Sequence, residues 1–317
     1  MCNRLKKYLA SISERRRFCR GWLCHLGFFL VIVATAGGST EGWIKIYEGQ
    51  TVGFAADSEG RRVPLGFDLT LKSFETEYYE DGHSPRQYTS TLEADGKALE
   101  ASVNHPARYK GWRICQSGYG EGYSVLKAVK NPWIPVLSIG ALLLALGAAQ
   151  NLTKAWTGRK ILPVALALAV VFTLISVARI NFGTLMPALR SFWFIPHLAA
   201  YMLAYALLAV GTVCSFVRRI PQDLPSRLIS SASSLLLIGM LCGAVWAQQA
   251  WGSYWSWDPK ECWAAVTWLL TVAACHMGKR SKRLFRVLII TAFLAMNITW
   301  YGVNYLPSER SSIHVYR

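Results

Sequence analysis

A short segment rich in tryptophan is the part of the sequence whose residue types point most clearly to ligand binding. Residues 251–263 read WGSYWSWDPKECW, and five tryptophans lie between positions 246 and 263. Tryptophan is common where a helix meets the membrane interface, but this density exceeds what an interfacial belt needs. We expect Trp251, Trp255 and Trp257 to form an apolar shelf for a flat ligand such as a porphyrin. The polar groups of Asp258, Lys260 and Glu261 are expected either to orient the ligand or to fix the loop.

Histidine is the second residue type with useful chemistry, and the chain has six of them. His83 and His105 lie in polar, turn-like sequence, where a hydrogen-bonded side chain without a ligand is the ordinary interpretation. The other four lie at the edges of apolar segments, where an ionisable side chain is costly and therefore a candidate functional group. These four are His25, His197, His276 and His314.

The apolar segments that must position these residues are long enough to cross a bilayer. Hydrophobic residues make up 53% of the 317 positions and charged residues only 16%. Because an apolar helix of about 20 residues spans the hydrocarbon layer, we predict an all-α polytopic membrane protein with about seven transmembrane helices. The predicted spans lie near residues 21–38, 133–152, 161–177, 197–217, 228–247, 263–277 and 284–303.

A long polar stretch separates the first predicted helix from the second. It contains glycine-rich turns and alternating segments such as residues 68–74, which predict a small β-rich extracytoplasmic domain. We therefore divide the chain into three parts. Residues 1–38 form a basic cytoplasmic tail and the first helix, residues 39–131 the β-rich domain, and residues 132–317 a transmembrane domain with the tryptophan loop at 246–263.

The net charge of +16 is distributed in a way that predicts membrane orientation and not nucleic-acid binding. Basic residues cluster before the first span, between the second and third, after the fourth and around the start of the seventh. All four clusters fall on one side, which the positive-inside rule makes the cytoplasm. The tryptophan loop and the C-terminus are then outside. A rival interpretation treats the first span as a signal peptide cleaved before Gly37.

This orientation arranges the four membrane-edge histidines as two pairs at two depths. His25 and His276 lie on the cytoplasmic side, whereas His197 and His314 lie on the outer side and flank the tryptophan loop. Six-coordinate haem iron takes two axial imidazole nitrogens from opposite faces. We therefore predict that each pair ligates the iron of a haem.

The tryptophan segment resembles the hallmark of a known family, the tryptophan-rich haem-handling proteins of cytochrome c biogenesis, of the CcsA or ResC type in the system II pathway. The likeness covers about residues 182–314, including 186–191, 243–246 and 301–304. Upstream, residues 103–117 and 129–132 resemble the end of the partner protein, CcsB or ResB. The chain thus resembles a shortened fusion of the two partners. It departs from the CcsB pattern by having one span before a small soluble domain.

The resemblance implies a role for each histidine and a reaction. His197 and His314 match external haem ligands, His276 matches a membrane ligand after the loop, and His25 matches the membrane ligand of the CcsB part. Haem b, as bound ligand and substrate, would pass from the inner pair to the outer site and be attached to the Cys-x-x-Cys-His segment of apocytochrome c. No side chain acts as nucleophile, and a thioredoxin-like thiol reductant keeps the acceptor thiols reduced.

Two other functions fit part of the same pattern. A cytochrome b-like electron-transfer subunit would also carry bis-histidine haems, although buried carriers place both ligands inside a helix bundle. A haem exporter without attachment activity would use the same sites. The eight cysteines include no Cys-x-x-Cys pair, which argues against redox shuttling by the chain itself. Arg190 is interpreted as an interfacial anchor in preference to a partner for a haem propionate.

Overall fold

In the described part of the sequence, a β-sheet domain follows one short apolar helix and precedes five longer helices. The computed structural model describes residues 21–156, 182–278 and 280–302, together with the single positions 167, 170, 171 and 174. The strands are β1 (Thr40–Tyr47), β2 (Thr51–Ala56), β3 (Arg62–Tyr78), β4 (Pro85–Ala94), β5 (Lys97–Ser102), β6 (Ala107–Tyr109), β7 (Trp112–Gly120) and β8 (Tyr123–Lys130). The helices are α1 (Gly21–Ala36), α2 (Ile134–Trp156), α3 (Phe194–Cys214), α4 (Asp223–Trp251), α5 (Pro259–Met277) and α6 (Lys282–Trp300).

The eight strands form one antiparallel sheet in the order β5-β4-β3-β2-β1-β8-β7-β6. Alternate residues of each strand point inward, as in β3, where Leu65, Phe67 and Leu69 are buried and the residues between them are exposed. The edge strands β5 and β6 also approach each other, through a bridge between Ser102 and His105. The sheet therefore curls into a barrel-like body around a single apolar core.

This sheet corrects the fold class expected from the sequence, because the protein is not an all-α membrane protein. Among the described helices, four are long and apolar enough to cross a membrane: Ile134–Thr153, Phe194–Cys214, Asp223–Trp251 and Lys282–Trp300. Helices α1 and α5 match two further expected spans but are not among these four, and the expected span at 161–177 lies almost wholly outside the described residues. A strand needs apolar side chains only at alternate positions, whereas a membrane helix is recognised by a long continuous apolar run. The size of the sheet is therefore not evident from the apolar runs of the sequence.

Glycines let the helices approach closely near the candidate histidines. Helix α1 packs against α2 at Gly27 and Gly140, where a Cβ on Gly27 would lie 2.7 Å from the Gly140 carbonyl oxygen. Helices α3 and α4 share an apolar core, and Gly239 of α4 makes room for the Tyr201 ring of α3. These contacts set the positions of α1 and α3, which carry His25 and His197.

Candidate functional site

An aromatic cavity lies where α3, α4, α5 and α6 meet the tryptophan loop, residues 246–263. The described residues enclose a volume of about 270 Å³, near the lower end of the range for small-molecule sites. Most of the wall is aromatic or apolar, and a few polar groups converge on it. The wall includes His197, Tyr201, Tyr205, Trp246, Trp255, Lys260, Glu261 and Trp300.

His197 is held in one orientation by α4. Its Nδ1 lies 2.8 Å from the Gly239 carbonyl oxygen. Because a carbonyl only accepts hydrogen bonds, Nδ1 carries the proton and Nε2 has the lone pair that a metal would bind. The ring centre lies 4.9 Å from that of Tyr201 and 5.7 Å from that of Trp246. A Cβ at Gly243 would lie 2.6 Å from Nδ1, so the imidazole requires a glycine at this position.

Trp246 forms the cavity wall beside His197, and two further aromatic rings pack against it. Its indole Nε1 donates a hydrogen bond of 2.7 Å to the Ala188 carbonyl oxygen, in the segment before α3. The ring centres of Phe194 and Trp251 lie 5.2 Å and 5.1 Å from that of Trp246. Phe194 is among the described residues that line the cavity and Trp251 is not. Trp251 therefore packs against Trp246 without lining the cavity itself.

The other residues of the tryptophan loop lie in three different places: the cavity wall, the protein surface and the start of α5. Trp255 is half-buried and lines the cavity. Trp257 is 78% exposed and has a φ of 58°, a strained conformation for a bulky side chain. Asp258 is buried and caps α5, because its carboxylate accepts a 2.8 Å hydrogen bond from the Lys260 N–H while the Glu261 carboxylate accepts one from the Asp258 N–H. Asp258 thus starts α5 and fixes the end of the loop.

His25 of α1 and His276 of α5 lie side by side at the other histidine site. Their ring centres are 6.4 Å apart and the ring planes are nearly perpendicular, at 84°. Each Nδ1 donates a hydrogen bond to the carbonyl oxygen four residues earlier in its own helix, over 2.6 Å to Gly21 and 2.9 Å to Val272. Nε2 therefore has the lone pair in both rings. Both side chains are exposed.

Two family matches together cover most of the sequence. Residues 133–309 match the cytochrome C assembly protein family, which is more than half of the chain, and residues 17–132 match the ResB-like family. The chain belongs to the cytochrome c assembly protein family. This membership confirms the resemblance carried by the tryptophan segment, including the ResB-like N-terminal part.

Several curated relatives of this assembly-family chain are cytochrome c biogenesis proteins named CcsA. One from Prochlorococcus marinus (strain MIT 9312) is 32% identical, with 39% of this chain and 54% of the relative covered. Another, from Prochlorococcus marinus (strain MIT 9515), is 31% identical, with 57% of this chain and 65% of the relative covered. A third, from Chlamydomonas reinhardtii, is 36% identical, with 38% of this chain and 40% of the relative covered. The chain spans about half the length of the curated relatives it matches.

The remaining residues singled out by sequence lie in different surroundings. His314 lies outside the described residues. Arg190 donates a 3.2 Å hydrogen bond to a backbone carbonyl of β4, and its guanidinium lies 5.9 Å from the centre of the Tyr79 ring. Arg190 thus joins the segment before α3 to the β domain. His83 lies at a bend of that domain and His105 in the bridge to Ser102, and neither is among the residues of the cavity lining.

Several wall residues of the cavity were not predicted as site residues. Tyr201 and Tyr205 follow His197 at intervals of four, so they lie on the same face of α3, and the helical period was a signal that could have found them. Trp300 comes from α6 and packs 6.1 Å from the Tyr205 ring. Its position had no local signal, because it depends on how α6 packs against α3.

Cys115 is the cysteine that the β domain places nearest to the tryptophan loop. It is buried on β7, and a Cβ on Gly252 would lie 3.1 Å from its sulfur. Burial raises the pKa of the Cys115 thiol to about 11, so the group is a neutral thiol near pH 7 and a poor nucleophile. Among the described residues, Cys115, Cys214, Cys242, Cys262 and Cys275 form no disulfide.

Proposed function

We propose that this protein binds haem at two histidine sites, carries it to the outer face of the membrane and attaches it to the Cys-x-x-Cys-His segment of an apocytochrome c. The observation that carries the proposal is the aromatic cavity around His197, within the region that matches the assembly family. An imidazole with its lone pair on Nε2, set among tryptophan and tyrosine rings, supplies both an axial ligand and an apolar surface for a porphyrin.

The spacing of His25 and His276 supports a haem at the inner site. An imidazole nitrogen binds a transition metal at about 2 Å and lies roughly 1 Å from its own ring centre, so two axial imidazoles have ring centres about 6 Å apart. The distance of 6.4 Å between the two ring centres agrees with this requirement. Both rings also have the lone pair on Nε2, the nitrogen that does not bond to the helix backbone.

At the outer site, His197 and His314 would supply the axial nitrogens, with His314 assigned by the family resemblance alone. Attachment adds each acceptor thiol across a haem vinyl group. The sulfur bonds to one vinyl carbon and the proton goes to the other, so this step consumes no oxidant or reductant. The protein's contribution is to orient the vinyl edge toward the peptide. A thioredoxin-like partner must deliver the thiols reduced, since a disulfide has no thiol to add.

The proposal includes an orientation in the bacterial inner membrane. The N-terminus is cytoplasmic, and the β domain, the tryptophan loop and the C-terminus are outside, as the basic clusters indicate. A reporter fused after Lys282 should be active in the cytoplasm, and one fused after Asp81 should be active outside. The opposite result at either position would contradict the assignment of the histidine pairs to the two sides.

Haem attachment by the purified full chain tests the proposed reaction. With bound haem and a reduced Cys-x-x-Cys-His peptide, we expect thioether-linked haem that stays with the peptide after denaturation. A peptide with serine in place of both cysteines is the matched control, and His197→Ala should abolish attachment while His83→Ala should not. An electron-transfer subunit would instead reduce a quinone, and an exporter would release unattached haem. Either result without thioether formation contradicts the proposal.

A further inference from the structure

The β domain contacts the tryptophan loop through one largely buried lysine. Lys127 lies on β8, and its side chain is only 11% exposed. Its Nζ lies 3.1 Å from a carboxylate oxygen of Glu41 on β1 and donates a hydrogen bond of 2.7 Å to the Ser253 hydroxyl. Ser253 belongs to the loop and comes two residues before Trp255, which lines the cavity. The lysine therefore links the sheet to the wall of the candidate haem site.

The loop backbone is packed onto the same part of the sheet. Gly252 ends α4 with a φ of 79°, the left-handed conformation that turns the chain out of the helix. A Cβ at this position would lie 3.1 Å from the Cys115 sulfur and 3.5 Å from Cγ2 of Val129. Gly252 and Ser253 thus both contact the sheet, the first by close packing and the second by a hydrogen bond to Lys127.

A second contact links the β domain to the other side of the cavity. The side-chain amide of Asn104 donates a 2.8 Å hydrogen bond to the Pro187 carbonyl oxygen. The next carbonyl, that of Ala188, accepts the indole N–H of Trp246. The segment before α3 is therefore held between the β domain and a tryptophan of the cavity wall. The β domain contacts two of the segments that shape the cavity.

We infer that Lys127 is a positioning residue, which sets the conformation of the tryptophan loop and thereby the retention of haem at the outer site. The haem part of this inference rests on the proposed function. A buried ammonium is costly unless it is paired, and Glu41 supplies the opposite charge. The Trp43 ring, with its centre 5.2 Å from Nζ, adds a third contact. The sheet thus fixes the lysine, and the lysine fixes the hydroxyl of Ser253.

The surroundings of Lys127 make a selective substitution feasible. Glu41 is 40% exposed, so after Lys127→Met its carboxylate can hydrate and the sheet should still fold. Ser253→Ala removes only the hydroxyl that accepts the hydrogen bond from Lys127, and it leaves the salt bridge between Lys127 and Glu41. Lys130→Met is the matched control, because Lys130 lies on the same strand and its ammonium lies 5.9 Å from the Trp112 ring of the sheet. Lys127→Arg is the conservative variant, since it keeps a cationic donor.

Hydrogen exchange in the full-length, haem-free protein tests whether the lysine holds the loop. The backbone amides of residues 252–257 should exchange roughly tenfold faster in Lys127→Met, because a hydrogen bond from a charged donor is lost. Ser253→Ala should show the same change, whereas Lys130→Met should match the wild type. Loop exchange at the wild-type rate in both Lys127→Met and Ser253→Ala would overturn the inference.

Haem retention separates a positioning role from a merely structural one. Lys127→Met should release haem from the outer site faster than the wild type, without losing the spectrum of the inner pair, and Lys127→Arg should restore slow release. If Lys127→Met speeds amide hydrogen exchange in the loop but leaves the rate of haem release unchanged, the positioning role is overturned. If the wild type itself holds no haem at the outer site, the proposed function fails, and the exchange measurement still decides whether Lys127 holds the loop.

Discussion

Two tryptophans that are nearly adjacent in sequence should respond differently to the same substitution. The rings of Trp255 and Trp257 lie 6.1 Å apart and nearly perpendicular. Trp255 is half-buried and lines the cavity, whereas Trp257 is 78% exposed and lies outside the described lining. We expect Trp255→Ala to weaken haem retention strongly and Trp257→Ala to leave it almost unchanged, although both belong to the same motif.

The size of each effect follows from the area that each ring buries. Replacing a tryptophan that packs against a ligand by alanine costs about 2–4 kcal/mol, which weakens binding about 30-fold to 1,000-fold. Trp257 has only about a fifth of its surface covered, so its burial contributes about 1 kcal/mol at most. Most of that contribution concerns the fold of the loop and not a ligand in the cavity. The expected change in haem dissociation is therefore less than about fivefold.

Transfer of haem from the purified protein to an excess of a soluble haem acceptor measures these dissociation rates. The absorption spectrum before transfer should keep its bis-histidine form in both variants, because neither substitution removes an axial nitrogen. Phe192→Ala is a matched control, since Phe192 is a comparably exposed aromatic residue, at 80%. Equal losses in Trp255→Ala and Trp257→Ala would refute the division of the loop into a cavity residue and a surface residue.

Three further predictions follow from the helices and the loop. His25→Ala and His276→Ala should each convert six-coordinate haem at the inner site to a five-coordinate form, and spectra unchanged in both would make these residues ordinary helix-end histidines. Gly27→Leu should destabilise the protein by about 1–3 kcal/mol and perturb the inner spectrum, because the new side chain meets the Gly140 backbone; thermal unfolding and absorption measure the two effects. Trp257→Gly should leave thermal stability unchanged or raise it, since it relieves a left-handed conformation that costs about 1–2 kcal/mol, and a clear loss of stability would show that the ring makes needed contacts.

Part of the candidate site could be predicted from the sequence, because some of its signals are local. The tryptophan motif is contiguous, and it lies within residues 133–309, which match the assembly family. The histidines were identified by their positions at the ends of apolar runs, and the structure brings His25 and His276 to within 6.4 Å. Their role as ligands stays a prediction, as does that of His314, which lies outside the described residues.

What the sequence concealed depends on contacts between distant segments. The eight-stranded sheet was underestimated as a small domain in an all-α protein, because residues such as Leu65 and Leu69 are apolar only at alternate positions. The hydrogen bond from Lys127 to Ser253 joins residues far apart in the chain, so the spacing of residues in the sequence does not predict it. Asp258 was expected to orient a ligand or to fix the loop, and the structure shows that it caps α5, because the pattern Asp-Pro-Lys-Glu forms a capping box that explains its burial.

The two histidine sites differ in how firmly they hold an imidazole, and this difference bears on the direction of haem movement. His25 and His276 each bond to a carbonyl of their own helix and are exposed among the described residues. His197 bonds instead to a carbonyl of the neighbouring α4 and packs against two aromatic rings. A ligand whose ring is held by aromatic packing as well as by a hydrogen bond loses less conformational freedom on binding metal than one held by a hydrogen bond alone. Under the proposed function, this difference favours tighter binding at His197 than at His25 or His276, which would promote transfer from the inner pair outward.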